Sequence, residues 1–342
     1  MLHRLPLLAI LGTASALQLP PPALKFDFCG YGTNYVKCEG TSPASVPVVL
    51  VHGFGGSSGQ WRATLKDVAL AGRTVYAIDL LGFGDSPKPA LDGTGLEYSI
   101  ELWAQQLQQF VKEVVVAQDG ADQAVVVGNS IGSLACVCAA ARSPAADSTI
   151  AGLGLFNCAI GMNSKAEPLA DDPPAYAFFF ALAKPLFVLI DVLLRSPLAG
   201  ALFDKVRTPE TVRSVLESGV YMNSDRVDDE LVNMITRPAT DEGALQTFVE
   251  ILAGDPGPRP EALVGQIDES IPIACWWGPD DQVTPLIGVV GQFFKKLPSE
   301  RAAAEFTLLP ETGHCPFDDR PDIASPALID WLDRRWPPPV TP

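Results

Sequence analysis

One serine, Ser130, has the sequence context of an enzymatic nucleophile. It is the central residue of Gly-Asn-Ser-Ile-Gly, a G-x-S-x-G pentapeptide at residues 128–132. The apolar run of residues 123–127 precedes it, and a helical stretch of small residues, 131–141, follows it. A strand, a tight turn and a helix in this order predict a nucleophile elbow, which presents the serine hydroxyl at the positive end of the helix. Ser130 is therefore expected to attack an electrophilic carbon.

The general base for this serine is predicted from the few histidines in the chain. Of three histidines, His3 lies near the N-terminus and His52 opens a glycine-rich loop, residues 52–56, to which we assign another role. His314 remains, directly after the apolar run of residues 306–309. If that run is a strand, it brings His314 to the same sheet edge as Ser130, where it can accept the serine proton.

A carboxylate that orients the histidine is expected at a strand end between Ser130 and His314. Residues 273–277 form an apolar run that predicts this strand, and Asp280 and Asp281 follow it. Asp79 also ends a predicted strand, but the glycines that follow it are typical of a structural turn. The residues themselves leave Asp280 and Asp281 as alternatives.

The composition is typical of a globular and strongly acidic protein. The chain has 342 residues, of which 47% are apolar, enough for one large domain or for one domain with an insertion. Its net charge of −16 argues against nucleic acid or an anionic membrane surface as a partner. With one usable histidine and no C-x-x-C pair, the sequence predicts neither a metal site nor a cofactor. The cysteines number seven, an odd count, and Cys29 and Cys38 flank a predicted hairpin in which they could meet.

Short β-type runs and helical stretches must position these residues. The predicted strands are residues 25–28, 34–38, 47–51, 74–78, 123–127, 152–156, 273–277 and 306–309. The clearest helix covers residues 98–117, with an apolar face that includes Leu107, Phe110 and Val114. This pattern predicts an α/β fold with a mostly parallel eight-stranded sheet, helices on both faces, and ligand chemistry at the carboxyl ends of the strands.

The alternation of strands and helices stops between residues 161 and 254. This stretch has helical patterns and no convincing strand, so we predict a helical cap inserted after the sixth strand, with residues 26–160 and 255–342 as the core. Residues 176–194 of the cap are very apolar. We expect them to pack in the interior and in part to contact the substrate, and the cap to offer a surface for peripheral membrane contact.

The N-terminus has the pattern of a targeting segment. Residues 1–16 comprise a basic start with Arg4, an apolar stretch and an Ala-Ser-Ala end, which is typical of a secretory leader and too short to span a membrane. Together with residues 17–25, it could form a bipartite leader for a plastid. An unpaired cysteine favours a reducing compartment, so a plastid is the predicted location and secretion the alternative.

The assembled motifs resemble those of the α/β-hydrolase superfamily, over residues 25–337. The chain order serine, aspartate, histidine is that of the superfamily. The spacing W-G-x-x-D-x-x-x-P at residues 277–285 matches its pattern, and this resemblance selects Asp281 over Asp280. It implies a catalytic triad of Ser130, Asp281 and His314 that acts through an acyl-enzyme.

The same resemblance implies an oxyanion hole. Residues 52–56, His-Gly-Phe-Gly-Gly, resemble the H-G-x-G loop of the superfamily. In such enzymes a backbone N–H of this loop and that of the residue after the nucleophile stabilise the oxyanion. The corresponding donors in this chain are the backbone N–H groups of Phe54 and Ile131.

Three segments narrow the resemblance to plastid hydrolases related to pheophytinase and chlorophyll dephytylase, which cleave the phytyl ester of chlorophyll pigments. They are residues 128–132, 155–163 and 313–322, the last of which begins Gly-His-Cys-Pro. Ser133 and Phe317 depart from the pheophytinase pattern, which has a glycine and a histidine there. The resemblance implies a serine carboxylic-ester hydrolase for a hydrophobic ester, with chlorophyll or pheophytin as candidate substrates.

Other functions of the same fold remain open at this stage. A general carboxylesterase or lipase, or a C–C bond hydrolase with a similar triad, would share these motifs. A receptor-like relative that binds a ligand and turns it over slowly is an alternative of another class. Dehalogenases and epoxide hydrolases of this fold form an alkyl ester on an aspartate, and the serine at position 130 excludes that chemistry.

Overall fold

A computed structural model describes residues 22–42, 45–143 and 148–337. The predicted leader, residues 1–16, lies outside the described residues, as do residues 17–21 of the predicted bipartite segment. The predictions about targeting therefore stay predictions.

The centre of the structure is one sheet of eight strands. They are β1 (Leu24–Phe28), β2 (Tyr31–Cys38), β3 (Val48–Val51), β4 (Val75–Ile78), β5 (Ala124–Asn129), β6 (Ile150–Phe156), β7 (Ile273–Trp277) and β8 (Ala304–Leu308). Their order across the sheet is β1-β2-β4-β3-β5-β6-β7-β8. The pairs β1–β2 and β2–β4 are antiparallel, and the other pairs are parallel. The predicted mostly parallel, eight-stranded sheet is confirmed.

The central strands are buried along their whole length because both faces of the sheet are covered. Every residue of β3, β4, β5 and β7 is buried. Strands of parallel sheets with helices on both sides have this continuous apolar character, whereas a half-exposed strand would alternate. The sheet thus separates two hydrophobic clusters, one on each face.

Twelve α-helices lie within the described residues. They are α1 (Arg62–Leu70), α2 (Ile100–Phe110), α3 (Ile131–Ala141), α4 (Pro174–Leu194), α5 (Ala199–Val206), α6 (Pro209–Val215), α7 (Asp229–Thr236), α8 (Ala244–Ala253), α9 (Pro260–Val264), α10 (Val289–Glu300), α11 (Pro316–Asp319) and α12 (Pro321–Arg335). The predicted helix at residues 98–117 corresponds to α2 and to a π-helical turn, Val111–Gln118, that continues it. Its start is fixed by Ser99, whose side chain accepts a hydrogen bond from the Leu102 backbone N–H.

The long connection between β6 and β7 is helical. It contains α4 to α9, and no strand lies between Phe156 and Ile273, all of which the structure describes. Helices α5, α6 and α8 contact one another directly or through short turns. These helices occupy the stretch for which the sequence predicts a cap.

The suggested meeting of Cys29 and Cys38 is wrong. Cys29 lies in the turn between β1 and β2, whereas Cys38 is the last residue of β2, at the opposite end of that strand. Both thiols are free. The hairpin turn is too tight, and β2 too long, for the two side chains to come together.

Candidate active site

Ser130 occupies a strained turn between β5 and α3. Its φ of 55° and ψ of −122° lie in a region that non-glycine residues rarely adopt. A Cβ at Gly128 would lie 2.4 Å from the backbone of the following helix, and one at Gly132 would lie 2.4 Å from the His52 carbonyl oxygen. Only glycine fits at these two positions, because Gly128 lies against the start of α3 and Gly132 against the end of β3, which explains the G-x-S-x-G sequence.

His314 and Asp281 form a buried acid–base pair. The Nδ1 atom of His314 lies 2.8 Å from Oδ2 of Asp281. Asp281 also accepts hydrogen bonds from the backbone N–H groups of Val283, at 2.7 Å, and Thr284, at 3.0 Å. Burial alone would raise the pKa of Asp281, but the hydrogen bonds from His314 and Thr284 lower it to about 2. Asp281 is therefore a carboxylate at neutral pH.

The structure distinguishes the two candidate aspartates. Asp281, on the turn after β7, is 2% exposed and is the one that bonds His314. Asp280 is only partly buried, and its backbone N–H donates to the Thr312 carbonyl oxygen at 3.3 Å. The spacing resemblance and the geometry therefore select the same residue.

A hydrogen bond connects the loop that carries His314 to the turn that carries Ser130. Nδ2 of Asn129 donates to the His314 carbonyl oxygen at 2.9 Å. Ser130 and His314 are each almost buried, and both line the same cavity. The free ring nitrogen of His314, Nε2, is then the one available to a proton from this cavity, because Nδ1 faces Asp281.

The loop after β3, which carries the predicted oxyanion donor Phe54, lies close to Ser130. A Cβ at Gly53 would lie 3.1 Å from the Ser130 Cβ, and Phe54 lines the same cavity. Ile131 is the first residue of α3, where backbone N–H groups lack intrahelical acceptors. Within the described parts of the chain, no backbone acceptor pairs with the N–H of Phe54 or of Ile131. Both donors are free for a ligand.

His52 holds this loop in place and does not face the reaction as a base. Its Nδ1 lies 2.7 Å from the Gly53 carbonyl oxygen, and its Nε2 accepts the Leu80 backbone N–H at 3.1 Å. Both ring nitrogens are thus used in a fully buried site. Burial lowers the pKa of His52, which keeps the ring neutral.

A family comparison agrees with this geometry. Residues 48–325 match the sequence model of the alpha/beta hydrolase family. The chain belongs to the alpha/beta hydrolase family. The predicted superfamily and its fold are confirmed.

Individual relatives of this alpha/beta hydrolase include a plastid enzyme. The chain is 26% identical to pheophytinase, chloroplastic, of Arabidopsis thaliana over 334 residues, which cover 87% of this chain and 63% of the relative. Its structure resembles that of the epoxide hydrolase CorEH, with a TM-score of 0.67, 19% identity, and coverage of 92% of this chain and 99% of that one. A serine hydrolase involved in carbazole degradation gives a TM-score of 0.64 at 20% identity and the same coverage. The resemblance to pheophytinase is confirmed, and the two structures support the fold.

Two residues that sequence reasoning did not assign to the site hold Asp281 in this hydrolase. Nδ2 of Asn157 donates to Asp281 Oδ2 at 2.6 Å, and Oγ1 of Thr284 donates to the same oxygen at 2.5 Å. Asn157 is fully buried with a φ of 44°, and its Oδ1 accepts the Gly278 backbone N–H at 3.2 Å. Its place directly after β6, at the carboxyl edge of the sheet, is the signal that could have found it.

Asp79, the other strand-end aspartate, has the structural role that the sequence suggests. Its carboxylate accepts the Ser58 backbone N–H at 2.5 Å and the Asp85 backbone N–H at 2.7 Å. A Cβ at Gly84 would lie 2.5 Å from the same carboxylate, so the glycine is needed for the loop to wrap around it. Asp79 therefore connects the loops of Ser58 and Asp85 beside the site through hydrogen bonds.

An apolar cavity of about 450 Å³ opens at Ser130 and His314. The connection between β6 and β7 supplies about half of its lining residues, many of them from α5, α6 and α8. Examples are Phe203, Val206, Val212, Val215, Phe248 and Ile251. A cavity of this size and character fits a single hydrophobic chain.

The prediction that residues 176–194 pack in the interior and contact the substrate is wrong. They correspond to α4, of which only Leu194 is buried, and they do not line the cavity. Helix α4 packs against α8, which itself lines the cavity, and the rest of α4 is exposed. The sequence shows that α4 is apolar. Composition alone does not show whether α4 packs on the cavity side or on the outer side of α8.

Proposed function

We propose that this alpha/beta hydrolase is a serine carboxylic-ester hydrolase that acts through an acyl-enzyme on Ser130. The observation that carries the proposal is the 2.8 Å contact between His314 and the buried Asp281, beside a serine at a strained turn. A histidine oriented by a carboxylate is the arrangement that activates a serine hydroxyl.

In the proposed first half-reaction, Oγ of Ser130 attacks the carbonyl carbon of the ester, and its proton passes to Nε2 of His314. The negative charge that develops on the carbonyl oxygen is stabilised by the backbone N–H groups of Phe54 and Ile131. Asp281 stays ionised and stabilises the imidazolium. The C–O bond to the alcohol then breaks, and His314 returns the proton to the leaving alkoxide.

In the second half-reaction, water attacks the acyl-enzyme while His314 accepts one of its protons. Collapse of the second tetrahedral intermediate releases the carboxylic acid, and the proton on His314 passes to Oγ of Ser130. One ester and one water thus give one acid and one alcohol, and the enzyme is restored.

We propose a hydrophobic ester as the substrate, with the phytyl ester of chlorophyll or pheophytin as the first candidate. The apolar wall of the cavity supports a long chain, because each buried methylene stabilises the complex by about 0.8 kcal/mol. The pigment candidate is supported by the similarity to pheophytinase, chloroplastic. The same similarity supports a plastid as the proposed location.

The test is hydrolysis of a substrate series by the wild-type chain and by Ser130→Ala. The series contains p-nitrophenyl esters from acetate to palmitate, chlorophyll, pheophytin, and a C–C substrate of the meta-cleavage type. We expect turnover to rise with chain length, phytol release from a pigment, and loss of both in Ser130→Ala. Ser133→Ala is the matched control, because Ser133 lies in the first turn of α3, three residues after Ser130, and its Oγ donates to the Phe156 carbonyl oxygen.

Other outcomes separate the alternatives. Turnover of short esters alone would favour a general carboxylesterase, and turnover of the C–C substrate alone would favour a C–C hydrolase. Tight binding of an ester with almost no product would favour a receptor-like protein. Ester turnover that survives in Ser130→Ala would contradict the proposed mechanism.

A further inference from the structure

Helix α4 exposes more apolar surface than a water-facing helix normally does. Its 21 residues, Pro174–Leu194, have a mean hydropathy of 2.2 over their most apolar 18-residue stretch, of which 6% is buried. Phe178, Phe179, Leu182 and Leu189 are each more than 60% exposed. By length and composition α4 is also long enough to cross a membrane. Contiguous apolar surfaces of this kind mark sites of interaction with another apolar phase.

The described part of the chain covers one narrow stripe of α4. The residues with reduced exposure recur every three or four positions, as one side of a helix requires. They are Tyr176, Phe180, Ala183, Phe187, Asp191 and Leu194. Helix α4 packs against α8, and within the stripe Tyr176 and Asp191 bond Ala166 and Lys165 of the segment before the helix. The remaining sides of α4 are exposed, and they are apolar except at Lys184.

The two ionisable side chains of α4 that are charged at neutral pH are both paired with the segment before the helix. Nζ of Lys184 lies 3.4 Å from Oε1 of Glu167. Oδ1 of Asp191, in the half-buried stripe, lies 3.0 Å from Nζ of Lys165. The exposed sides of α4 thus carry no unpaired charge that would oppose transfer into hydrocarbon.

We propose that α4 inserts into the surface of a neutral lipid bilayer and lies along it. A second copy of the chain would pack along one line of the helix and leave its other exposed sides in water. A lipid leaflet covers all of them at once. The net charge of −16 opposes binding to anionic lipid, so the chemistry that fits is neutral lipid held by hydrophobic insertion.

The connections at both ends of α4 favour lying in the surface over crossing it. Just before the helix, Asp172 pairs with Arg259. Just after it, Nη2 of Arg195 donates to the Ala253 carbonyl oxygen at 2.9 Å. Both ends are therefore anchored on the same body of the protein, which supplies the polar side that an interfacial helix needs.

Membrane binding at α4 would place lipid one helix away from the proposed substrate cavity. Helix α8 packs against α4 and also contributes Thr247, Phe248 and Ile251 to the cavity wall. An ester dissolved in the bilayer would then be held close to the cavity. This consequence rests on the proposed function, whereas the insertion of α4 does not.

The experiment is flotation of the full chain with phosphatidylcholine vesicles, for wild type and for the double variant Leu182→Asp with Leu189→Asp. The matched control is Leu70→Asp with Ile287→Asp, which adds the same charge at residues that are 72% and 89% exposed elsewhere on the surface. We expect wild type and control to float equally in low and high salt, because insertion is hydrophobic. The α4 variant should lose at least about tenfold in partition, since two carboxylates oppose burial in lipid.

Folding and activity are measured separately on each variant. Circular dichroism melting should give the same midpoint for all three proteins, and hydrolysis of p-nitrophenyl acetate should be equal. If no protein hydrolyses an ester but the flotation pattern holds, the proposed function fails and membrane insertion stands. Equal flotation of the α4 variant and wild type, or no flotation of wild type, would overturn the insertion. A lipid-free dimer that the α4 variant converts to a monomer would assign the surface to a second copy instead.

Discussion

The carboxyl edge of the sheet buries ionisable side chains, whereas helix α4 exposes apolar side chains. At the sheet edge, Asp281 and His314 are buried, and each has a hydrogen-bonding partner. On α4, large apolar side chains are exposed, and no other segment within the described residues covers most of them. Burial by itself disfavours a carboxylate, and Asp281 is buried only together with the hydrogen bonds that offset this cost, whereas the apolar side chains exposed on α4 have no such compensation. We infer that the buried pair Asp281 and His314 serves the reaction, and that the exposed helix α4 serves binding to a membrane.

The largest expected effect on kcat comes from a substitution at the carboxyl edge of the sheet. Asp281→Asn should lower kcat for ester hydrolysis by roughly 10⁴, because the amide cannot stabilise the imidazolium in the same way. Asp280→Asn should change kcat little, since the Asp280 contact to Thr312 is made by its backbone. Steady-state kinetics on one p-nitrophenyl ester measures both. Equal losses in the two variants would show that the carboxylate of Asp281 has no special part in the reaction.

A smaller effect is expected at the residue that positions Asp281. Asn157→Asp keeps the side-chain shape but replaces the amide donor, 2.6 Å from Asp281, with a second acceptor. Loss of a hydrogen bond to a buried charge costs about 1.5–3 kcal/mol, which corresponds to a drop in kcat of roughly ten- to a hundredfold. The pH dependence of kcat should shift as well, with KM unchanged. If Asn157→Asp keeps the wild-type kcat and pH profile, Asn157 does not position Asp281 for the reaction.

The helices that line the cavity should control chain length, whereas α4 should not. Val206→Trp would fill part of the cavity and is expected to lower kcat/KM for a palmitate ester by about tenfold relative to acetate, because buried methylenes are lost. Val192→Trp on α4 places the same side chain at a position that is 63% exposed and outside the cavity. It should leave the palmitate-to-acetate ratio unchanged. A change in that ratio for Val192→Trp alone would reverse the assignment.

The smallest effect concerns stability and pH. The pKa of Asp281 is lowered from 3.8 to about 2 in the folded protein. The carboxylate therefore stabilises the fold above about pH 4, and this contribution is lost as the pH falls towards 2. Its size is about 2 kcal/mol. Denaturant titrations at pH 6 and pH 2.5 should show that the difference in unfolding free energy between wild type and Asp281→Asn shrinks at the lower pH. A difference that stays constant would contradict the lowered pKa.

The sheet could be predicted from the sequence because its strands are buried on both faces. The apolar run at residues 273–277 coincides with β7, and the run at 306–309 overlaps β8, Ala304–Leu308. The start of β8 was missed because Ala304 and Glu305 are not strongly apolar. Their place in the strand comes from pairing with Ile273 and Ala274 of the neighbouring strand.

The role of Asn157 and the exposure of α4 could not be predicted, because both depend on contacts between distant parts of the chain. Asn157 acts through a hydrogen bond to a residue distant in the sequence, and an asparagine after a strand is equally typical of a simple turn. The exposure of α4 was missed because hydropathy reports composition, and exposed and buried apolar helices have the same composition. Only the packing of α4 on α8 distinguishes the two.

The most direct test of the proposed acyl-enzyme is to map the site of covalent labelling. A fluorophosphonate reacts with an activated serine, and mass spectrometry of the digested protein locates the adduct. We predict one adduct, on Ser130, with no labelling of Ser130→Ala and undiminished labelling of Ser133→Ala. An adduct on another residue, or labelling that persists in Ser130→Ala, would contradict the assignment of Ser130 as the nucleophile.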